Sequence, residues 1–153
     1  MGNHLDESWM RQALRMAAEA QKLGEVPVGA VVVIDNEIVG RGSNRPINRV
    51  DPTAHAEIEA LRDAAQQIGN YRLRGASLVV TVEPCTMCAG ALVHARVERL
   101  VFGVREPRAG AVVSSAAVLA NPKLNHRVGV TEGVLADECA SLLTEFFRSR
   151  RGK

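Results

Sequence analysis

Residues 77–103 limit the possible folds of this chain more than any other stretch of its sequence. Ser77–Val82 is an aliphatic run without a charge and predicts a buried strand. Pro84 can open a helix over residues 85–95, and residues 99–103 predict a second strand. A strand, a helix and a strand joined by short links form a crossover, which requires the two strands to be parallel. The chain is therefore predicted to be an α/β protein.

Further elements are predicted on both sides of this crossover. A helix begins near Asp6, Glu7 and Ser8, which supply a cap and first-turn acids, and ends at Gly24. The β-branched run 28–34, the turn residues 35–37 and the apolar residues 38–40 predict an antiparallel hairpin. The remaining predicted elements are a loop over 44–52, a helix from Pro52 or Thr53 to Gly69 with Ile58, Leu61, Ala65 and Ile68 toward the core, a strand over 128–130 and a helix over 136–147.

These elements predict one domain over residues 1–153 with three layers, in which a mixed sheet of about five strands carries helices on both faces. Residues 1–5 and 149–153 are expected to be flexible. The chain has 153 residues, 46% of them hydrophobic, which suffices for one core and excludes disorder as the main state. The longest uncharged run, 109–122, is shorter than the ~18 apolar residues of a membrane span. No secretory signal opens the sequence, so a soluble cytoplasmic protein is expected.

Four residues at two predicted helix starts have the chemistry of a catalytic metal site. His55 and Glu57 lie near one start, and Cys85 and Cys88 lie at the other. The positive end of a helix dipole favours thiolates, which bind zinc together with a neutral imidazole. Three protein ligands leave one position for a water molecule, which is typical of catalytic zinc. Glu57 points away from His55 on the helix, so it is predicted to move protons rather than to bind the metal.

Other interpretations of these residues stay open at this point. A C-x-x-C pair also occurs in redox sites and zinc ribbons, although a ribbon needs a second pair that three cysteines cannot supply. Cys139 could complete a closed structural site with His55, Cys85 and Cys88, but it lies on the apolar side of the last helix and is expected to pack in the core. His94 and His126 are expected to have structural roles.

The spacing His55-x-Glu57 followed by Pro84-Cys85-x-x-Cys88 resembles the signature of the zinc-dependent nucleoside and base deaminases. Over nearly its whole length the chain is similar to the bacterial members of that superfamily that convert the wobble adenosine of a tRNA anticodon to inosine. The stretches that carry this resemblance are Val26-Pro-Val-Gly-Ala30, Asn44-Arg-Pro46, Asp51-Pro-Thr-Ala-His-Ala-Glu57, Asn70-Tyr-Arg72, Glu83-Pro-Cys-Thr-Met-Cys-Ala-Gly90, Asn125-His-Arg-Val128 and Phe146-Phe-Arg148.

The resemblance implies a cytidine-deaminase-like fold, one Zn²⁺ per chain held by His55, Cys85 and Cys88, and Glu57 as the general acid and base. It also implies a homodimer and the tRNA anticodon loop as the substrate. The residues that it implies in substrate binding are Asn44, Val28, Ala56, Pro84, Glu106, Phe147 and Arg150. The chain departs from the family pattern at residues 105–108, where Glu106 replaces the usual aspartate and a proline follows.

Charge adds a modest and independent indication of an RNA substrate. Residues 1–76 contain 9 basic and 10 acidic side chains, whereas residues 77–153 contain 10 and 7. The excess lies at the tail, where Phe146 and Phe147 stand next to four cations, a combination that suits stacking on unpaired bases. The alternative functions are the same chemistry on a free base or nucleoside of the guanine or cytosine type, and a catalytically idle zinc fold that only binds RNA.

Overall fold

The computed structural model describes residues 3–151. Five strands form one mixed sheet in the order β2-β1-β3-β4-β5. The first three strands pair antiparallel, and β3, β4 and β5 run parallel, as the predicted crossover requires. The strands are β1 Gly29–Ile34, β2 Glu37–Ser43, β3 Ser77–Val82, β4 Arg99–Val104 and β5 Gly129–Glu132. The helices are α1 Asn3–Lys22, α2 Pro46–Arg49, α3 Ala56–Ile68, α4 Thr86–His94 and α5 Ala136–Arg151, with a 3₁₀ turn at Val118–Ala120.

Alternation along the strands divides the core into two layers. Leu78 and Val80 of β3 pack against α3 and α4 on one face of the sheet. Val79 points to the other face, where Met10 of α1 and Cys139 of α5 cover it. Successive side chains of a strand point to opposite faces, so a central strand covered on both sides must be apolar throughout. The predicted three-layer arrangement is confirmed, and no described helix is both long enough and apolar enough to cross a membrane.

Helix α3 approaches strand β2 closely, and this shifts its buried face from the predicted one, of which Leu61 is buried and Ile58 and Ala65 are half-buried. A Cβ atom on Gly42 would lie 2.2 Å from the Ala56 oxygen, and one on Gly40 would lie 2.5 Å from the Ala60 oxygen. The small residues Ala56, Ala60 and Ala64 therefore face the strand and are buried. Ile68, predicted to face the core, is 41% exposed. Volume and not hydrophobicity determines which residues fit here.

Several element ends also differ from the prediction. Helix α3 begins at Ala56 and not at Pro52 or Thr53, because the Asp51 carboxylate accepts bonds from the Thr53 amide and hydroxyl and holds a turn there. The loop over 44–52 contains the short helix α2. Asp6 is not a helix cap: α1 already begins at Asn3, and Asp6 is buried in an ion pair with Arg99.

The expectation of flexible ends falls partly on residues 1–2 and 152–153, which lie outside the described range. Within that range, residues 3–5 belong to α1 and residues 149–151 belong to α5. The last strand occupies Gly129–Glu132, whereas the sequence predicts 128–130.

Candidate active site

One edge of the sheet collects the residues that the sequence analysis marks as functional. The carboxyl end of β3 leads directly into Glu83, Pro84 and Cys85. Because β1 runs antiparallel to β3, its first residue lies at the same edge, and Gly29 N–H donates to the Thr81 hydroxyl. Gly29 in turn pairs with Ser43, the last residue of β2. The sheet topology therefore brings the two motif helices and the segments before β1 and after β2 together.

Three side chains form a group that can hold one metal ion. His55 and Cys85 are the cap residues of α3 and α4, and Cys88 lies in the first turn of α4. The Nδ1 atom of His55 lies 3.6 Å from each of the two sulfur atoms. A tetrahedral zinc with sulfur at ~2.3 Å and nitrogen at ~2.05 Å separates such ligand atoms by about 3.6 Å. The three residues therefore fit zinc, and they are the only metal-ligating group found among the described residues.

The two cysteines differ in acidity because the hydrogen bond between them lowers the pKa of one thiol and raises that of the other. Hydrogen bonds from Cys88 and from His55 lower the pKa of Cys85 to about 3. The bond to Cys85 and burial raise the pKa of Cys88. The pKa of His55 is raised because it bonds to Cys85. A cation at this place replaces the thiol protons and lets both sulfurs bind as thiolates, which is why this donor set suits a divalent metal.

Glu57 lies beside this group without joining it. The residue stands in the first turn of α3, two positions after His55, and only 4% of it is exposed. Burial raises the pKa of its carboxyl group to about 7. A carboxyl group with such a pKa can accept and return a proton near neutral pH, which a general acid and base must do.

Asn44 and Val28 lie together on one wall of the site. The Asn44 amide donates to the Val28 oxygen at 3.0 Å, and the Asn44 side chain donates to the Val26 oxygen at 3.3 Å. The next residue, Arg45, donates its backbone N–H to Ala54, directly before His55. These bonds connect the wall to the start of α3. Ala56 is buried beside His55, and Pro84 is buried beside Cys85.

The carboxylate of Glu25, which was not predicted from the sequence as a functional group, is buried next to this wall. Glu25 accepts hydrogen bonds from the backbone N–H groups of Ile47 and Asn48 and from the Asn48 side chain. It thereby fixes α2 against the end of α1. The sequence feature that could have revealed Glu25 is its place directly before the apolar segment 26–34. No helix begins there, so the acidic residue is not needed as a helix cap.

Glu106 and its loop are held by a second buried carboxylate. The Glu106 side chain accepts a bond from the Ala109 amide within its own loop. Its backbone N–H donates to Glu83 at 3.1 Å. In the sequence, Glu83 stands out only as part of a motif. Its signal is a charged residue that ends an aliphatic strand immediately before the Pro-Cys pair.

The tail residues lie at the end of α5, on the side of the sheet that α1 covers. Phe147 is 46% exposed and meets Phe146 edge to face, with ring centroids 5.3 Å apart. Arg150 lies 4.5 Å above the Phe146 ring and donates to the Gly24 oxygen. Arg150 thus connects α5 to the segment that leads into the Val28 wall.

Three further residues considered in the sequence do not join the metal group: Cys139, His126 and His94. Cys139 is buried in the core on the opposite face of the sheet from α3 and α4, so it does not complete a four-ligand site with His55. His126 bonds to the Val97 oxygen at 2.7 Å, and His94 is exposed at the end of α4.

The fold and this site define a deaminase, and comparisons with known proteins agree. The family model described as MafB19-like deaminase matches residues 4–151. A tRNA-specific adenosine deaminase of Haemophilus influenzae is 52% identical over 150 residues, which are 97% of this chain and 87% of that protein. One of Bacillus subtilis is 43% identical over 97% of this chain and 92% of its own length.

A solved structure supports the same grouping. It comes from a study of A-to-I editing by tRNA:A34 deaminases at the wobble position of transfer RNA, and it shares 43% identity with this chain. The superposition covers 89% of this chain and 99% of that one with a TM-score of 0.86. The chain belongs to the family of tRNA-specific adenosine deaminases. This membership confirms the resemblance that the motifs carry.

Proposed function

We propose that this chain hydrolyses the wobble adenosine of a tRNA anticodon to inosine and ammonia, with one Zn²⁺ as cofactor. The observation that carries the proposal is the group of His55, Cys85 and Cys88, with 3.6 Å separations from nitrogen to sulfur, next to a buried Glu57. The extent of identity to tRNA-specific relatives makes the free-base alternative less supported.

The proposed division of roles follows from the positions of the side chains. When bound, zinc supplies an activated water molecule as the nucleophile. Glu57 takes a proton from the attacking water and returns it to the amino group that leaves C6, so that water and adenosine become inosine and ammonia. The burial of Glu57 favours this role, since its protonated and ionised forms are both accessible near neutral pH.

The walls of the site are proposed to bind the nucleoside. Asn44 is half-buried and offers its side-chain amide to a polar edge of the nucleoside, while Val28 supplies an apolar surface beside it. Ala56 and Pro84 would contact the base at the two helix starts. Glu106 and Phe147 are proposed to hold the neighbouring nucleotides of the anticodon loop, whereas Arg150, for which the resemblance implies the same role, is used in the fold by its bond to the Gly24 oxygen. The bases of this loop are already unpaired, which keeps the cost of extruding adenosine low. Aromatic stacking by the exposed ring of Phe147 suits such bases.

A homodimer and a cytoplasmic location complete the proposal. The surface between α3 and α4 favours self-association, because Ile58, Leu61 and Ala91 line a shallow and mostly apolar groove there. A substrate that is a tRNA favours the cytoplasm.

The experiment compares a tRNA with adenosine at the wobble position, the same tRNA with guanosine there, and free adenosine, cytidine and guanine. Ammonia release and inosine formation are expected from the first substrate alone. Turnover of a free base without activity on the tRNA would overturn the proposal. Two variants separate the metal from the proton: Cys88→Ala should lose zinc and activity, whereas Glu57→Ala should keep about one zinc per chain and lose only activity. A Glu57→Ala protein within tenfold of the parent would refute the proton role.

A further inference from the structure

Glu83 has more hydrogen-bond donors around it than a carboxylate usually receives. Only 4% of the residue is exposed. Its two oxygens accept from four backbone N–H groups and one hydroxyl group, so its acceptor sites are filled. The donors are the amides of Glu106 at 3.1 Å, Val112 at 3.1 Å, Val113 at 2.8 Å and Ser114 at 2.9 Å, and the Ser114 hydroxyl at 2.5 Å. Glu83 is thus unavailable as a base or as a metal ligand.

All of these donors belong to one segment, residues 106–114, which follows β4 and contains neither helix nor strand. The segment is wrapped tightly around the carboxylate. A Cβ atom on Gly110 would lie 2.3 Å from a Glu83 oxygen, so only glycine fits there. The amide of Ala111 also donates to the Pro84 oxygen at 2.8 Å. Two consecutive residues directly before the metal-site residue Cys85 therefore hold the whole segment.

The bonds to Glu83 and Pro84 anchor residues 106–114 at the two positions that precede the metal-site residue Cys85. Between its anchored ends the segment exposes Pro107, Arg108 and Ala109 to solvent. Arg105, just before it, is tied to Glu132 by two bonds of 2.8 and 3.0 Å. The exposed tip, which contains the Arg108 cation and bonds to the Glu106 carboxylate through the Ala109 amide, is thus held between two fixed flanks. Such pre-ordering lowers the entropic cost of binding a polynucleotide.

We propose that Glu83 is a positioning residue: it holds residues 106–114 so that their exposed tip meets the tRNA strand beside the target adenosine. It acts through the segment and touches neither the metal ligands nor the reacting atoms. The inference rests on the proposed tRNA substrate. It goes beyond that function because it gives a buried residue, which takes no part in the reaction, an indirect role in the affinity for the substrate.

The test is steady-state deamination of a wobble-adenosine tRNA by the zinc-loaded parent and by Glu83→Gln. The amide NH₂ of glutamine opposes N–H donors, so the segment should loosen while the side-chain volume stays. KM should rise roughly tenfold with kcat reduced less than threefold, because interactions equal in ground and transition states affect KM alone. Zinc content should remain one per chain. Hydrogen exchange of the amides of residues 112–114 should accelerate in the same variant.

Two further variants separate positioning from a general loss of stability. Gly110→Ala keeps the charge of Glu83 but forces the segment away, and it should raise KM in the same way. Asp6→Asn is the matched control, because Asp6 is also a buried carboxylate but pairs with Arg99 at the opposite end of β4. It should lower the thermal midpoint and leave KM unchanged.

The outcomes distinguish this inference from the function on which it rests. A parent without activity on the tRNA would overturn the proposed function. An active parent with an unchanged KM in both Glu83→Gln and Gly110→Ala would overturn the positioning role alone. Loss of zinc from Glu83→Gln would also overturn it, since Glu83 would then support the metal ligands and not the substrate segment.

Discussion

A very close packing contact, between Gly42 of β2 and the first turn of α3, lies directly behind the candidate metal site, and this leads to a sharp prediction for Gly42→Ala. The new Cβ atom would lie 2.2 Å from the Ala56 oxygen and 2.5 Å from the Ala60 nitrogen. Ordinary contact begins near 3.4 Å, so the first turn of α3 must move by about 1.2 Å. That turn contains His55 as its cap residue and Glu57.

The expected cost has two parts. Overpacking a well-filled contact lowers stability by about 1–3 kcal/mol, which corresponds to a fall of roughly 2–12 °C in the thermal midpoint for a chain of this size. A displacement of about 1 Å at catalytic groups also lowers kcat by about 10²-fold. Zinc should be held more weakly, because His55 moves relative to the two cysteines.

Two other glycine positions provide the controls. Gly40→Ala produces a similar clash one turn further along α3, at 2.5 Å from the Ala60 oxygen, and should cost similar stability with a much smaller loss of kcat. Gly129→Ala places its Cβ 3.7 Å from the nearest atom and should change neither. The assays are zinc competition with a chelator, thermal unfolding and tRNA deamination. If Gly42→Ala bound zinc and turned over like the parent, α3 would not set the geometry of the site.

The remaining predictions concern Glu25 and the tail. Burial opposes ionisation of Glu25, but hydrogen bonds from Asn48 and Ile47 lower its pKa below the usual 4.5. Its contribution to stability is thus complete above pH ~4.5 and is lost as pH falls further, so chemical denaturation should show Glu25→Gln less stable than the parent at pH 6 and more nearly equal to it at pH 4. Truncation after Phe147 should flatten the salt dependence of tRNA affinity by about 0.7 in the log–log slope per lost phosphate contact, and identical slopes would contradict an RNA role for these cations.

The sequence predicts those features that depend on local pattern. The aliphatic run of β3, the helix that follows Pro84 and the parallel β4 are all found, because a buried crossover leaves a strong signal in hydrophobicity and in turn residues. The metal group was predictable for a related reason. His55 and Cys85 each precede a helix, and the topology of a crossover sheet brings such positions to one edge.

Features that depend on contacts distant in sequence could not be predicted in this way. The buried face of α3 is determined by Gly40 and Gly42, which lie on another element and favour alanine over the larger Ile68. Asp6 has the spacing of a helix cap, but its partner Arg99 is 93 residues away. Glu83 also looks like an ordinary strand end until the segment 106–114 folds back onto it.

The tail shows how such a distant contact changes a functional interpretation. In the sequence, the cations of the tail form one basic cluster, and each of them is an equal candidate for binding an RNA phosphate. In the folded chain Arg148, Arg150 and Arg151 are all exposed, but Arg150 also donates to the Gly24 oxygen, 126 residues away, and lies over the Phe146 ring. A cation that stabilises the fold contributes to the thermal midpoint, and one that meets a phosphate contributes to the salt slope. Arg150→Ala should therefore act mainly on the midpoint, and the flattened slope of the truncated chain should come from the other cations.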